Sequence, residues 1–123
     1  MDIEQARYNM VEQQIRPWDV LNQQILDLLC KVRREDFVPP AHRALAFVDM
    51  EIPLGHGEAM WTPKLEARVL QELAIRPSDR VLEIGTGSGY LTALLAVQAA
   101  EVISVDIHAD FTAAATAKLR AHG

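Results

Sequence analysis

Val81-Leu82-Glu83-Ile84-Gly85-Thr86-Gly87-Ser88-Gly89-Tyr90 is the stretch from which the fold of this chain is read. Its apolar start reads as a short buried strand, its three glycines as a turn, and the residues after Tyr90 as an apolar helix. Glycine permits positive φ and lets a ligand approach the backbone closely. Such a turn is expected to leave N–H groups unpaired at the helix N-terminus, where a carboxylate or phosphate is attracted. A second apolar run, Val102-Ile103-Ser104-Val105, ends at Asp106. Strand, glycine turn, helix, strand and acid together make a nucleotide-binding half-unit.

The spacing narrows the ligand. Gly85, Gly87 and Gly89 give G-x-G-x-G. The dinucleotide fingerprint, G-x-G-x-x-G, calls for a small residue at 90, where this chain has Tyr; a phosphate-binding P-loop calls for Lys and then Ser or Thr, which are absent. Glu83 extends the pattern to E-x-G-x-G-x-G, which resembles the first motif of S-adenosylmethionine-dependent methyltransferases of Rossmann-like fold. Asp106 stands twenty-one residues past Gly85, close to the roughly 20 expected for an acid that grips ribose hydroxyls.

Composition sets outer limits. With 123 residues, half of them hydrophobic, the chain makes one modest domain and has enough apolar surface for a core. The net charge is −5, and the largest basic cluster is Lys31, Arg33 and Arg34. That argues against nucleic acid as a partner, since phosphate binding needs a concentrated positive face. A single cysteine, Cys30, cannot form an internal disulfide, and it reads as a buried, inert thiol in a reducing compartment. The polar start lacks an apolar signal region, and no run of about 18 apolar residues exists to span a membrane. A cytoplasmic protein is expected.

Upstream of the glycine turn the chain reads as mostly helical. Asp2 is placed to cap a helix reaching about Ile15, with a stripe of Ile3, Ala6 and Met10 widened by Val11 and Ile15. Arg16-Pro17 ends it. Asp19 is the expected cap of a second helix with Leu21, Ile25, Leu28, Leu29 and Val32 on one face. Pro40 starts a short helix to about Phe47. Glu51–Leu54 reads as an extended third strand, followed by a flexible link at Gly55-His56-Gly57. Thr62-Pro63 is a cap and first-turn pair, and the helix after it shows Leu65, Val69, Leu70 and Leu73. The Tyr90–Ala100 helix is apolar on almost every side and calls for cover on most of them. The last segment, from Ala109, is helical by propensity.

The segment Ile52-Pro53-Leu54-Gly55-His56-Gly57-Glu58-Ala59-Met60-Trp61-Thr62-Pro63, with Val81–Tyr90 and Ser104-Val105-Asp106-Ile107, resembles the protein-L-isoaspartate O-methyltransferase family. Asp36-Phe37-Val38-Pro39 fits the same family's helical front end. The resemblance covers nearly the whole chain and about the first half of the family's length. It implies an α/β, Rossmann-like methyltransferase fold of which this chain is the N-terminal part, with residues 1–50 a helical region and residues 51–123 the start of the cofactor domain, including the first βαβ unit. It implies transfer of a methyl group from S-adenosylmethionine to the free carboxylate of an isoaspartyl residue in damaged protein. Glu83, Gly85, Gly87 and Gly89 would form the cofactor loop, Asp106 would bind the ribose, and Ile107 would lie against the adenine. The family usually carries a Ser where this sequence has Trp61, with Thr62 one place later. Trp61 and Thr62 are therefore the substrate-side candidates: Trp61 as packing or as a wall that reshapes the site, Thr62 as a second hydroxyl or as a helix cap.

An isoaspartyl carboxylate is already ionised at neutral pH, so the reaction needs no general base and depends on orientation and exclusion of water. The absence of a Ser-His-Asp or Cys-His set is consistent with that. A sulfonium can rest near an aromatic face, for which Tyr90 and Trp61 are candidates; Tyr90 can equally pack beneath the glycine turn. The four histidines are scattered without metal-ligand spacing, so no metal is expected, and His56 is the one closest to the expected site. Two parallel strands leave open edges, so an incomplete sheet is expected, and the uncovered apolar faces of the Tyr90–Ala100 helix lead to the expectation of a homo-oligomer. Other readings stay open: a methyltransferase with a different acceptor, or a shortened, non-catalytic cofactor-binding or oligomeric module.

Overall fold

The computed structural model describes residues 2–122, with the side chain of His122 left out. Helix α1 (Ile3–Met10) is capped by Asp2, which accepts from the N–H of Gln5. It widens into one π turn, Val11–Ile15, and tightens into a 3-10 turn, Arg16–Trp18. The expected stripe is shifted: Arg7, Met10, Val11 and Ile15 are buried and Ile3 is exposed. Arg7 can face inward because Glu35 meets its guanidinium with two oxygens, at 2.7 and 2.9 Å.

Helix α2 (Gln23–Lys31) is capped by Asn22, which accepts from Gln24 and Ile25. Asp19, the expected cap, instead adopts a left-handed conformation at the end of the preceding turn. Three residues then separate it from the helix, and Leu21 is left exposed. Ile25, Leu26, Leu28 and Leu29 are buried. Cys30 is exposed, not buried; a position next to a buried helix face need not lie on it. Burial of part of its surface and the nearby Asp27 push the thiol up, away from the reactive thiolate.

Two 3-10 turns, Arg34–Asp36 and Pro40–Leu45, lead to β1 (Ile52–Gly55). The expected third strand is not part of the central sheet. It pairs antiparallel with β2 (Glu58–Met60) as a separate two-stranded hairpin, and His56-Gly57 is its turn. Helix α3 (Pro63–Leu73) starts at Thr62, whose hydroxyl accepts from the N–H of Leu65. Its buried face is Pro63, Glu66, Ala67 and Leu70, whereas Leu73 is exposed.

Strand β3 (Arg80–Ile84) pairs in parallel with β4 (Glu101–Val105), and α4 (Tyr90–Gln98) joins them. A final helix, α5, spans Ala109–His122. The core runs from α1 and α2 through α3 to α4, with Ile15, Phe37, Ile52, Leu70 and Leu94 fully buried. Tyr90 and Thr92 to Leu95 are buried and Leu91 is partly buried, while Val97 is exposed. The bare apolar surface therefore lies less on α4 than on the outer face of the two strands.

Candidate functional site

The glycine turn sits between the C-terminal ends of β3 and β4. Gly85, Gly87 and Gly89 all have positive φ, at +103°, +54° and +87°. The N–H groups of the turn are largely taken by the protein itself. Gly85 and Thr86 donate to the carbonyl of Val105 at 2.7 and 3.2 Å, Gly89 donates to Thr86 O at 3.0 Å, and Tyr90 donates to Ser88 Oγ at 3.2 Å. The expected bed of unpaired donors is thus replaced by a turn whose hydrogen bonds fix its shape. What the turn offers a ligand is space: a Cβ on Gly85 would meet nothing within 4 Å.

Asp106, at the end of β4, is tied to this turn. One carboxylate oxygen accepts from the N–H of Gly87 at 3.0 Å and the other from the N–H of His108 at 2.9 Å. The His108 and Gly87 donors hold its carboxyl below the usual range, so it is ionised near neutral pH. Each oxygen keeps a lone pair for a further donor such as a hydroxyl. Ile107 beside it is 92% exposed.

Glu83 is buried, and two hydroxyls, from Ser104 at 2.6 Å and from Thr92, donate to the same oxygen. Since Ser104 gives its proton to Glu83, Thr86 must donate to Ser104, 2.6 Å away. Thr86, Ser104, Glu83 and Thr92 thus form one chain binding both strands to the start of α4. Burial raises the Glu83 carboxyl, and the two hydroxyls act in the opposite direction.

These groups open onto a cleft of about 310 Å³, at the lower end of the small-molecule range. The hairpin forms one wall and the glycine turn the other; Trp61, Leu91 and Phe111 contribute apolar surface. Its described lining carries the acids Glu58, Glu66, Glu83 and Asp106 and neither Lys nor Arg, a polarity that suits a cation. Trp61 is 42% exposed within this lining. Tyr90 is not in it: the ring is buried against Phe37, with centroids 5.8 Å apart, and beneath the Arg34 guanidinium at 5.4 Å. Packing, not a cation site at the cleft, is the role of Tyr90. The Thr62 hydroxyl caps α3 by accepting from the N–H of Leu65 and keeps its own proton to donate. No group of three or more His, Cys, Asp or Glu placed to hold a metal occurs among the described residues.

The family model of protein-L-isoaspartate(D-aspartate) O-methyltransferase (PCMT) matches residues 5–123. The chain belongs to this family. The protein-L-isoaspartate O-methyltransferase of Methylorubrum populi is 38% identical over 118 residues, which is 96% of this chain and 56% of that protein. That of Gloeobacter violaceus is 44% identical over 98 residues, or 80% of this chain and 48% of that protein. The chain thus spans about half the length of the curated relatives it matches. Among solved structures, a protein-L-isoaspartate O-methyltransferase from Plasmodium falciparum, in complex with S-adenosyl-L-homocysteine, superposes with a TM-score of 0.80 at 18% identity. The match covers 94% of this chain and 55% of that one. At that identity the likeness shows the fold: a partial Rossmann-like unit of the PCMT type.

Within that unit the sequence reading missed Glu66. It lies at the back of the cleft, paired with the fully buried Arg34 at 2.9 Å. A signal was present, because Pro63, Glu66, Ala67 and Leu70 follow helical spacing, and an acid on a buried stripe calls for a cationic partner. Thr92 and Ser104 were also missed; nothing in their own positions marks them until the strands are paired.

Proposed function

We propose that this chain binds S-adenosylmethionine in the cleft and forms the cofactor half of a methyltransferase. Its acceptor is the carboxylate of an isoaspartyl residue in damaged protein, the reaction for which its relatives are named. The observation that carries the reading is the ionised Asp106, anchored to Gly87 across from the open face of Gly85. The residues fit such a cofactor: the acids of the lining suit a sulfonium, and the space at Gly85 admits a ligand against the backbone. Bound there, the cofactor supplies a methyl group activated on a sulfonium. Asp106 accepts from ribose hydroxyls, Ile107 covers the adenine, and the Glu83 hydroxyl chain keeps Gly85, Gly87 and Gly89 in place. Residues 1–50 serve as the helical front region and 51–123 as the cofactor domain. The partners are a protein or peptide substrate and a second copy of the chain. The location is cytoplasmic, in keeping with a lone free thiol. No helix among the described residues is long and apolar enough to cross a membrane.

The test is a calorimetric titration with S-adenosylhomocysteine. Saturable binding, weakened at least about tenfold in Asp106→Ala, is expected: that fold-change is roughly 1.4 kcal/mol, close to the lower end of about 1.5–3 kcal/mol for a hydrogen bond to a charged group. No binding at millimolar ligand removes the cofactor reading for this chain.

A second reading, a methyltransferase with a different acceptor, is favoured by Trp61, which stands where the family usually has Ser, and by the acids around it. Methyl incorporation into an isoaspartyl peptide, against a matched aspartyl peptide, separates the two.

A further inference from the structure

His56 sits at the tip of the β1–β2 hairpin with φ +56°, between Gly55 at +100° and Gly57 at +75°. A residue with a side chain is uncommon in that conformation, and it persists where the surroundings over-determine it. The surroundings come from the far end of the chain. The Nε2 of His56 lies 3.0 and 2.9 Å from the two carboxylate oxygens of Asp110, in the first turn of α5. A carboxylate accepts only, so Nε2 carries the proton. Its ring stacks on His108 at 4.0 Å and 12°, and both rings meet the edge of Phe111, at 5.3 and 5.2 Å. The His56 hydrogen bond holds the Asp110 carboxyl below its usual range.

The hairpin has need of such a tie. Among the described residues its two strands pair only with each other; Ile52 and Met60 anchor the base of the hairpin in the core, and residues 55–59, which are exposed, lie beyond that anchor. Its residues Leu54, Glu58 and Met60 nevertheless form a wall of the cleft, and Phe111 lines the same cleft from α5. His108, stacked on His56, also gives its backbone N–H to Asp106, whose other oxygen holds Gly87. The cluster therefore connects hairpin, acid and glycine turn.

We propose that His56 is a positioning residue: paired with Asp110 and stacked on His108, it clamps the hairpin onto α5 and fixes that wall of the cleft. The consequence for cofactor binding rests on the reading above; the clamp itself does not.

The experiment is amide hydrogen exchange over residues 55–60, with S-adenosylhomocysteine titrations alongside, for wild type, His56→Asn, Asp110→Asn, the double variant and Asp110→Glu. Asn, whose short side chain can hydrogen-bond locally, is among the few residues besides Gly that visit the left-handed conformation routinely, so relief of turn strain alone would slow exchange in His56→Asn. The clamp requires the reverse. Exchange is expected to quicken about three- to five-fold in either Asn variant, the factor matching the upper range for an exposed pair. The double variant adds nothing further, Asp110→Glu restores the wild-type rate, and α4 amides do not change. Ligand affinity falls by a similar factor in the same variants. Exchange in His56→Asn at or below the wild-type rate overturns the proposal. Quickened exchange with unchanged ligand affinity upholds the clamp and overturns its role in fixing the wall of the cleft. If the wild type binds no ligand, the cofactor reading fails and exchange alone decides the clamp.

Discussion

A Cβ placed on Gly89 would lie 2.9 Å from the Cβ of Ala115 and 3.4 Å from its Cα, so α5 rests on the start of α4 with no room for a methyl group. Gly85, four residues earlier, faces open space. Both have positive φ, so an alanine is strained at either, by about 1–3 kcal/mol. Only at 89 does overpacking add a further cost of about 1–3 kcal/mol. Gly89→Ala should therefore lose roughly twice the stability that Gly85→Ala loses in urea unfolding. Gly85→Ala should instead weaken S-adenosylhomocysteine binding, because its methyl group enters the cleft. Equal losses of stability would show that α5 moves aside freely.

Arg34 and Glu66 test how the cleft is backed. Arg34 is fully buried, and beyond Glu66 it reaches, among the described residues, the carbonyls of Trp61 and Ala46 and the Tyr90 ring. Removing the acid strands a buried cation, at a cost of about 3–5 kcal/mol. Glu66→Ala should show that loss. The double change Arg34→Met with Glu66→Leu should be more stable than either single change, since apolar replacement of a whole buried pair is often neutral. A Glu66→Ala variant within about 1 kcal/mol of wild type would mean that water already reaches the guanidinium.

Stability should fall on both sides of a weakly acidic optimum. Burial raises the Glu83 carboxyl, and it raises that of Glu66 to about 7 against the pull of Arg34. Such groups hold more protons folded than unfolded, so stability falls as pH rises from about 4.5 through the raised values. Glu35 is the reverse. Burial, the largest influence, would raise it, but the Arg7 fork, a backbone donor and Arg33 together bring it below its usual value. Its contribution is present above about 4.5 and is lost as pH falls through the lowered value. Urea midpoints from pH 3 to 8 check this. Glu83→Gln should flatten the upper slope in part, leaving that of Glu66, and Glu35→Gln should flatten the lower one. An unchanged upper slope in Glu83→Gln would mean that its carboxyl is not raised.

The central strand–turn–helix–strand unit was legible because it is local: glycines, apolar runs and a distant acid carry it without knowledge of packing. The caps at Asp2 and Thr62 were equally legible, each being a polar residue at a helix start. What could not be read depends on contacts across the chain. Asn22 and not Asp19 starts α2 because a left-handed turn intervenes. The Ile52 strand pairs with β2 because the positive φ values from 55 to 57 fold it back on the next residues. The turn N–H groups are taken because β4 ends beside them, and Tyr90 is drawn from the site into the core by Phe37 and Arg34. The Glu83 hydroxyl chain joins residues up to 21 positions apart and exists only once the strands are in register.

The outer face of the strands carries the last prediction. Alternation turns Val81, Glu83, Val102 and Ser104 inward and leaves Leu82, Ile84, Ile103 and Val105 exposed, with Ile84 at 82%. Parallel strands are ordinarily covered on both faces, and an uninterrupted apolar patch favours association. If the second copy proposed above covers this face, a two-fold contact would bring the same apolar patch of both copies together, with the Arg80–Glu101 pair at 3.0 Å at its polar end. Light scattering at high micromolar concentration should give a mass above the monomer. Ile84→Lys together with Ile103→Lys should bring it to the monomer without loss of the helical signal, since neither side chain is in the core. A monomeric wild type under those conditions would rule out pairing through this face.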